Sequence, residues 1–424
     1  MAKICLKCGG TLDDDARFCP RCGSEYGAAP VCVKCGRELT PGARFCPGCG
    51  AEQTAGSNAG VSANGASYIK KGFDTFVTTI NTMAGETGKV DIHVKELFSD
   101  VFKPHTQEEK DELFACGTSK TTPKESEMVA EWPRPWLYSR VFLMFAIVFA
   151  GLYFMMMKME NSNVIPGTMF VGALLVPLTV IVFFWEVNVP RNISIVDVIS
   201  VFFVGGVFSL VVTLILFEIF PAGELDYTGA IIVGVVEEVG KALAVAYYVK
   251  TRNTKYKLNG LLLGGCVGAG FAVFETAGYA FNFLWSYHSL DVMMDVLFTR
   301  GMLAIGGHVV WAAISGFGLV VAKGDQPLEA SHLYSGKFLK FLILVSALHA
   351  VWDMPIQFGS EYYLVQLILT AIAVATVLVL LGSGLRQVST IAKQAQLAEA
   401  MQEENLGEKP EESQKAAGAA SVQE

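Results

Sequence analysis

The sequence predicts an all-α polytopic membrane protein of about eight transmembrane helices, led by a small N-terminal zinc-ribbon module. Three observations point there. Apolar residues make up 52% of the 424 and charged ones only 17%, a balance too apolar for an ordinary soluble domain. From about residue 137, runs of apolar residues long enough to cross a bilayer follow one another closely. Eight of the ten cysteines lie within the first 49 residues, in a duplicated pattern.

That pattern defines residues 1–50. Cys5, Cys8, Cys19 and Cys22 recur 27 positions later as Cys32, Cys35, Cys46 and Cys49, with shared C-x2-C-G and A-R-F-C-P-x-C-G strings. Each set of four thiolates suits one tetrahedral zinc ion, so two structural zinc ions are expected, and the segment resembles a double zinc ribbon. So short a module builds little core, and the metal would supply its folding energy. Redox C-x-x-C pairs or a disulfide staple are the alternative. Duplication of all four positions with their flanking glycines (Gly9, Gly23, Gly36, Gly50) favours zinc. Zinc thiolates call for a reducing compartment, which assigns this end to the cytoplasm.

The ribbons are not expected to bind nucleic acid. Residues 1–50 carry seven Lys or Arg against five Asp or Glu, and each four-thiolate centre adds about two negative charges. The whole chain is acidic, with a net charge of −8. A cytoplasmic protein partner or a sensing role fits the module better. The opening MAKICLKCGG has no apolar h-region, so no secretory signal peptide is expected.

Residues 51–67 read as a flexible linker rich in Gly, Ala, Ser and Asn. Residues 68–135 read as a partly helical cytoplasmic segment, with amphipathic stretches FDTFVTTINTM and VKELFSDVF. His93 and His105 lack partners at metal-ligand spacing and are expected at the surface; Cys116 and Cys266 receive no function. Apolar spans then follow at about 137–157, 167–187, 194–217, 228–249, 258–285, 294–322, 338–358 and 362–382. Residues 136–385 are thus expected to form the transmembrane domain.

Loop charge orients them. With the N-terminus inside, cytoplasmic loops hold Arg191, then Lys250, Arg252, Lys255 and Lys257, then Lys323, Lys337 and Lys340, then Arg386 and Lys393. The opposite loops hold Lys158 with Glu160, Glu218, Glu224, Asp226, Asp291, Asp295 and Glu361. Both ends are therefore expected in the cytoplasm of a multi-pass plasma-membrane protein. The tail, residues 386–424, reads as mostly disordered; after about Leu397 it is rich in Glu, Gln, Ala and Lys and reads as a frayed helix followed by disorder.

Four successive spans carry ionisable groups in their interior. Glu237, Glu238 and Lys241 lie on the fourth, Glu275 on the fifth, His308 on the sixth, and His349 with Asp353 on the seventh. Each charge at a bilayer centre costs about 2.5–3.5 kcal/mol on insertion scales, so such residues mark function unless they are structural glue. Glu237 with Lys241, Phe271 with Glu275, and His349 with Asp353 are each i, i+4 pairs sharing a helix face. The last pair places a carboxylate where it can orient an imidazole. Glu186, Glu218 and Asp197 fall near span ends, where snorkelling is cheap, and are set aside. Gly264, Gly265, Gly268 and Gly270 let the fifth span approach a neighbour closely, with the fourth span the expected partner.

Carboxylates gathered with imidazoles activate water, directly or by holding a divalent metal. No G-x-S-x-G or H-E-x-x-H occurs, so serine-type and zincin chemistry are unsupported. Intramembrane charge also suits an ion- or proton-coupled transporter, but the two halves of the bundle show no repeat. A non-catalytic receptor using the ribbons as a scaffold is the third reading.

E-E-x-x-K on one span, F-x-x-x-E on the next, then a histidine span and an H-x-x-x-D span resemble the PrsW family of intramembrane proteases, relatives of the CAAX prenyl proteases. The resemblance covers roughly residues 135–385. It implies an endopeptidase that hydrolyses membrane-protein substrates in or near the bilayer; in the family's best-known member the substrate is an anti-sigma factor. It further implies that Glu237 or Glu238 activates water, with Glu275, His308 and His349 as ligands, relays or oxyanion stabilisers. Lys241 and Asp353 complete the matching set. Catalysis by glutamate alone or by a divalent metal both remain open at this point. The ribbons and cytoplasmic segment are departures from a minimal PrsW protein, and regulation through them is the corresponding expectation.

Overall fold

The computed structural model describes residues 3–4, 11–12, 47–48, 59–88, 90–356 and 363–407. The eight ribbon cysteines lie outside these residues. The chain divides into two compact units, Met1–Asp74 and Thr75–Glu424. In the first, strand β1 (Lys3–Ile4) pairs antiparallel with β2 (Thr11–Leu12), Lys3 opposite Leu12. Helix α1 (Ala59–Met83) begins there and runs on into the second. The expected linker is thus helical from Ala59. Adding turns to a helix already nucleated at residues 68–83 avoids a second nucleation cost, although Gly60 and Gly65 each oppose it by about 1 kcal/mol.

The second unit opens with a pre-membrane segment. A short turn at Glu96–Phe98 precedes α2 (Gln107–Phe114), which starts with a capping box: Thr106 accepts from the Glu109 amide and Glu109 accepts from the Thr106 amide. His105, expected at the surface, is instead tucked in. Its ring stacks on Trp136 at a centroid distance of 3.9 Å.

Among the described residues, eight helical rods follow. They are α3 (Leu137–Lys158), α4 (Ile165–Glu186), α5 (Ile195–Ser200) joined to α6 (Gly206–Ile219), and α7 (Tyr227–Thr251). Then come α8 (Lys257–Tyr287), α9 (Leu290–Leu303) joined to α10 (His308–Lys323), and, after the short α11 (Ala330–Leu333), α12 (Gly336–Asp353) and α13 (Leu364–Gly407). Six rods are long and apolar enough to cross a membrane. The other two are α7 and α12, which carry three charges each within 18 residues: Glu237, Glu238 and Lys241 on α7, Lys337, Lys340 and Asp353 on α12. These two helices carry Glu237, Glu238, Lys241, His349 and Asp353 of the polar cluster.

The core centres on α8 and α10. A Cβ at Gly260, Gly264 or Gly268 would strike the backbone of Gly316, Ala312 and His308 in turn. The small-residue stripe therefore faces α10, not the fourth span as expected. Of the other glycines, Gly265 abuts Phe184 on α4 and Gly270 abuts Phe202 and Gly206. Periodicity shows which face of a helix is small, but several helices could complement it, and only the assembled bundle selects one.

Two further corrections concern span ends. Glu186 does not snorkel; its carboxylate accepts the Trp136, Leu137 and Tyr138 amides at 2.8 Å each, capping the otherwise bare start of α3. Asp197 pairs with Arg252 at 2.5 Å. The tail helix continues past Leu397 to Gly407. Gln396 and Glu399 hydrogen-bond Ser126 of the pre-membrane segment, at 2.8 Å each, and that contact supports the extra turns.

Candidate active site

The site is assembled by a broken helix. The apolar run 294–322 predicted one span, but it splits into α9 and α10 through a tight turn at Ala304–Gly306. Gly307 is extended (φ −103°, ψ −142°), and Gly306 lies so close to Thr370 on α13 that a Cβ would collide with it. His308 thereby becomes the first residue of α10, its ring directed into the bundle. The Gly306-Gly307 pair in GMLAIGGHVV was the available signal for this break.

Glu237, Glu238 and Lys241 lie on the buried face of α7, all three with little or no exposure. The sequence paired Lys241 with Glu237, and that contact is present at 3.5 Å. A closer one joins Lys241 to Glu238, at 2.6 Å, with both side chains fully buried. The ammonium also lies 2.8 Å from Nδ1 of His308 and 4.4 Å above the Phe271 ring.

These contacts assign one tautomer. An ammonium only donates, so Nδ1 of His308 accepts and its proton sits on Nε2. That nitrogen then donates to Glu275 Oε2 at 2.9 Å. The same oxygen receives Nη2 of Arg300 at 2.5 Å, while Arg300 Nε donates to Thr276 Oγ1 at 3.2 Å. Arg300 belongs to the cluster although it is not among the residues expected from sequence.

His349 lies between carboxylates. Its Nδ1 is 3.0 Å from Glu238 Oε1, and its Nε2 is 3.3 Å from Asp353 Oδ2 and 3.8 Å from Glu237 Oε2. Trp311 stacks on the ring at 4.5 Å, which holds its plane. All seven residues expected from sequence thus gather in one place.

The structure divides the glutamate pair. A cavity of about 560 Å³ is lined by Glu237, Glu275, Arg300, His308, His349 and Asp353, with aromatic walls that include Tyr279, Trp311 and Trp352. Glu238 and Lys241 do not line it. Glu237 faces the space where a reactant fits, whereas Glu238 lies behind it, tied to Lys241 and His349.

The cluster also suits a divalent cation. Glu237, His308 and His349 each offer one ligand atom within 4.8 Å of the other two, a two-histidine, one-carboxylate donor set of the kind catalytic zinc uses. With both histidines neutral, four carboxylates face two cationic side chains here, leaving two formal negative charges that a dication would balance. Lys241 donates to His308 Nδ1 and Nε2 faces Glu275, so ligation by either nitrogen requires its present partner to yield.

Comparison with known proteins fits this arrangement. Residues 195–382 match the model of the PrsW family intramembrane metalloprotease, and residues 5–50 match the double zinc ribbon. Protease PrsW of Clostridioides difficile (strain 630) is 25% identical over 186 residues, covering 42% of this chain and 74% of that protein. No solved structure matches.

Proposed function

We propose that residues 195–382, which match the model of the PrsW family intramembrane metalloprotease, form the protease domain of this membrane peptidase, and that Glu237 activates the water that attacks a substrate peptide bond within the cavity. The observation that carries this assignment is the split of the glutamate pair, with Glu237 lining the cavity and Glu238 behind it.

In this reading a water held between Glu237, His308 and His349 loses its proton to Glu237, which later delivers it to the leaving amine. His308 donates through Nε2 to Glu275, and Arg300 fixes that carboxylate in turn. His349 is held by Glu238 and Asp353. Lys241 balances Glu238 and keeps His308 in the tautomer described. A divalent ion, when bound, would be held by Glu237, His308 and His349 and would lower the pKa of its water. Burial of Glu237, Glu238, Lys241 and His349 strengthens the electrostatic contacts among them.

The protease domain spans about 136–385, follows a cytoplasmic segment at 68–135 and precedes a cytoplasmic tail at 386–424. Cys5, Cys8, Cys19, Cys22, Cys32, Cys35, Cys46 and Cys49 hold two structural zinc ions. The ribbons receive a cytoplasmic protein partner and regulate cleavage of a membrane-protein substrate in signalling, with both termini on the cytoplasmic side of the plasma membrane.

The test compares membrane-protein fragments from cells carrying the wild type, Glu237→Gln and Glu238→Gln. Loss of general-base catalysis is worth about 10²–10⁴-fold, so Glu237→Gln should abolish fragment release while the protein stays folded in detergent. Glu238→Gln should retain measurable cleavage. Full activity of Glu237→Gln would overturn the assignment, and the reverse ranking would move the base to Glu238.

A further inference from the structure

The pre-membrane segment contains a surface that the protease reading does not use. Phe102 is 96% exposed, Phe98 60% and Val94 42%, whereas Leu97 between them is buried. The phenylalanines are not on a loose loop. Tyr138 donates its hydroxyl to the Leu97 carbonyl at 3.3 Å. The Arg140 guanidinium donates to the carbonyls of Val101 and Lys103, the two residues flanking Phe102. His105 adds a contact to the Asp100 carbonyl at 3.3 Å.

Those anchors fix the depth of the loop. Arg140 is the fourth residue of α3, about 5 Å from its start at roughly 1.5 Å per residue. The 22 residues of α3 span about 33 Å, little more than the ~30 Å of hydrocarbon they must cross. The first turn of α3 therefore sits at the membrane boundary, and the backbone of Phe102 is tied to that turn. The outer face of α3 continues the same apolar surface, with Leu143 60% and Ile147 63% exposed.

We propose that residues 94–103 form an interfacial membrane-docking loop, with Phe98 and Phe102 seated in the boundary between headgroups and acyl chains of the lipid bilayer beside α3. Aromatic and aliphatic side chains at this depth have one face in hydrocarbon and keep their backbone near water. The contact is apolar rather than led by charge. Lys103 is held by Asp100 at 2.6 Å, and Arg134 by Glu96 at 2.9 Å. The loop would hold the cytoplasmic segment flat against the membrane, immediately before the first span. It depends on α3 crossing the bilayer and not on the catalytic assignment.

The test places p-benzoylphenylalanine at position 102 of the full-length chain in phosphatidylcholine vesicles and reads photoadducts by intact mass. Position 147 is the lipid-facing control and position 108, exposed on α2, the aqueous one. The proposal expects a mass gain of one phosphatidylcholine at 102 and 147, none at 108, and no change when anionic lipid is added. Protein–protein crosslinks at 102, or no adduct there beside a positive 147, would overturn it. So would an adduct that needs anionic lipid. An exposed side chain is being replaced, so folding is checked by size-exclusion elution matching the wild type.

Discussion

Replacing Lys241 with methionine tests whether its buried ammonium holds the intramembrane carboxylates together. Methionine nearly preserves the length and volume of the chain, so the change removes a charge and little packing. Lys241 is fully buried, 2.6 Å from the equally buried Glu238 and 3.5 Å from Glu237. Without it, Glu238 keeps His349 as its partner, and the acceptor nitrogen of His308 loses its donor. Breaking a buried pair by deleting one member costs about 3–5 kcal/mol, because the orphaned charge stays out of water. The structure supplies its own control. Lys255 and Glu125 meet at the same 2.6 Å but are 45% and 40% exposed, and such a pair is worth about 0–1 kcal/mol. Reversible unfolding in mixed micelles should therefore separate Lys241→Met from Lys255→Met by at least about 2 kcal/mol. Adding Glu238→Gln to Lys241→Met should recover part of the loss, since the stranded carboxylate is neutralised. A cost below about 1 kcal/mol for Lys241→Met would refute the counter-charge role.

Two further outcomes are expected. Arg300→Gln leaves Glu275 without its guanidinium and loosens His308, so kcat should fall about 10–100-fold, as for other residues that orient a site's ligands through hydrogen bonds, with KM little changed; Arg300→Lys should restore part of it, and a loss carried by KM alone would point to substrate binding instead. Gly264→Val drives a side chain into the Ala312 carbonyl and should cost at least about 1–3 kcal/mol, whereas at Gly278, where a Cβ meets nothing, substitution by alanine should gain about 0.5–1 kcal/mol in the same unfolding assay. Equal effects at the two positions would contradict the close α8–α10 approach.

The candidate cluster was legible in the sequence because charge in a hydrophobic span is costly. Glu237, Glu238, Lys241, Glu275, His308, His349 and Asp353 stand out against apolar neighbours without reference to any fold. The i, i+4 contact of His349 with Asp353 followed from helical spacing alone and is present at 3.3 Å. Arg300 was missed because it has no i, i+4 ionisable partner on its own helix, and its partners Glu275 and Thr276 come from α8. The break that presents His308 was missed because an apolar run keeps its length whether its helix is continuous or broken.

By itself, then, the sequence determined the membrane class, the approximate spans, the ribbon spacing and the list of polar residues to be accommodated. These are local properties: a residue's transfer cost, its period along a helix, its distance to the next cysteine. Tertiary structure alone decided which helix the glycine stripe of α8 meets, that Lys241 pairs more closely with Glu238 than with Glu237, and that Glu237 rather than Glu238 faces the cavity. Adjacent residues on a helix point about 100° apart, so one of two neighbouring glutamates must look elsewhere. Which one does so is set by the helices packed around α7, and that choice appears only when the bundle closes.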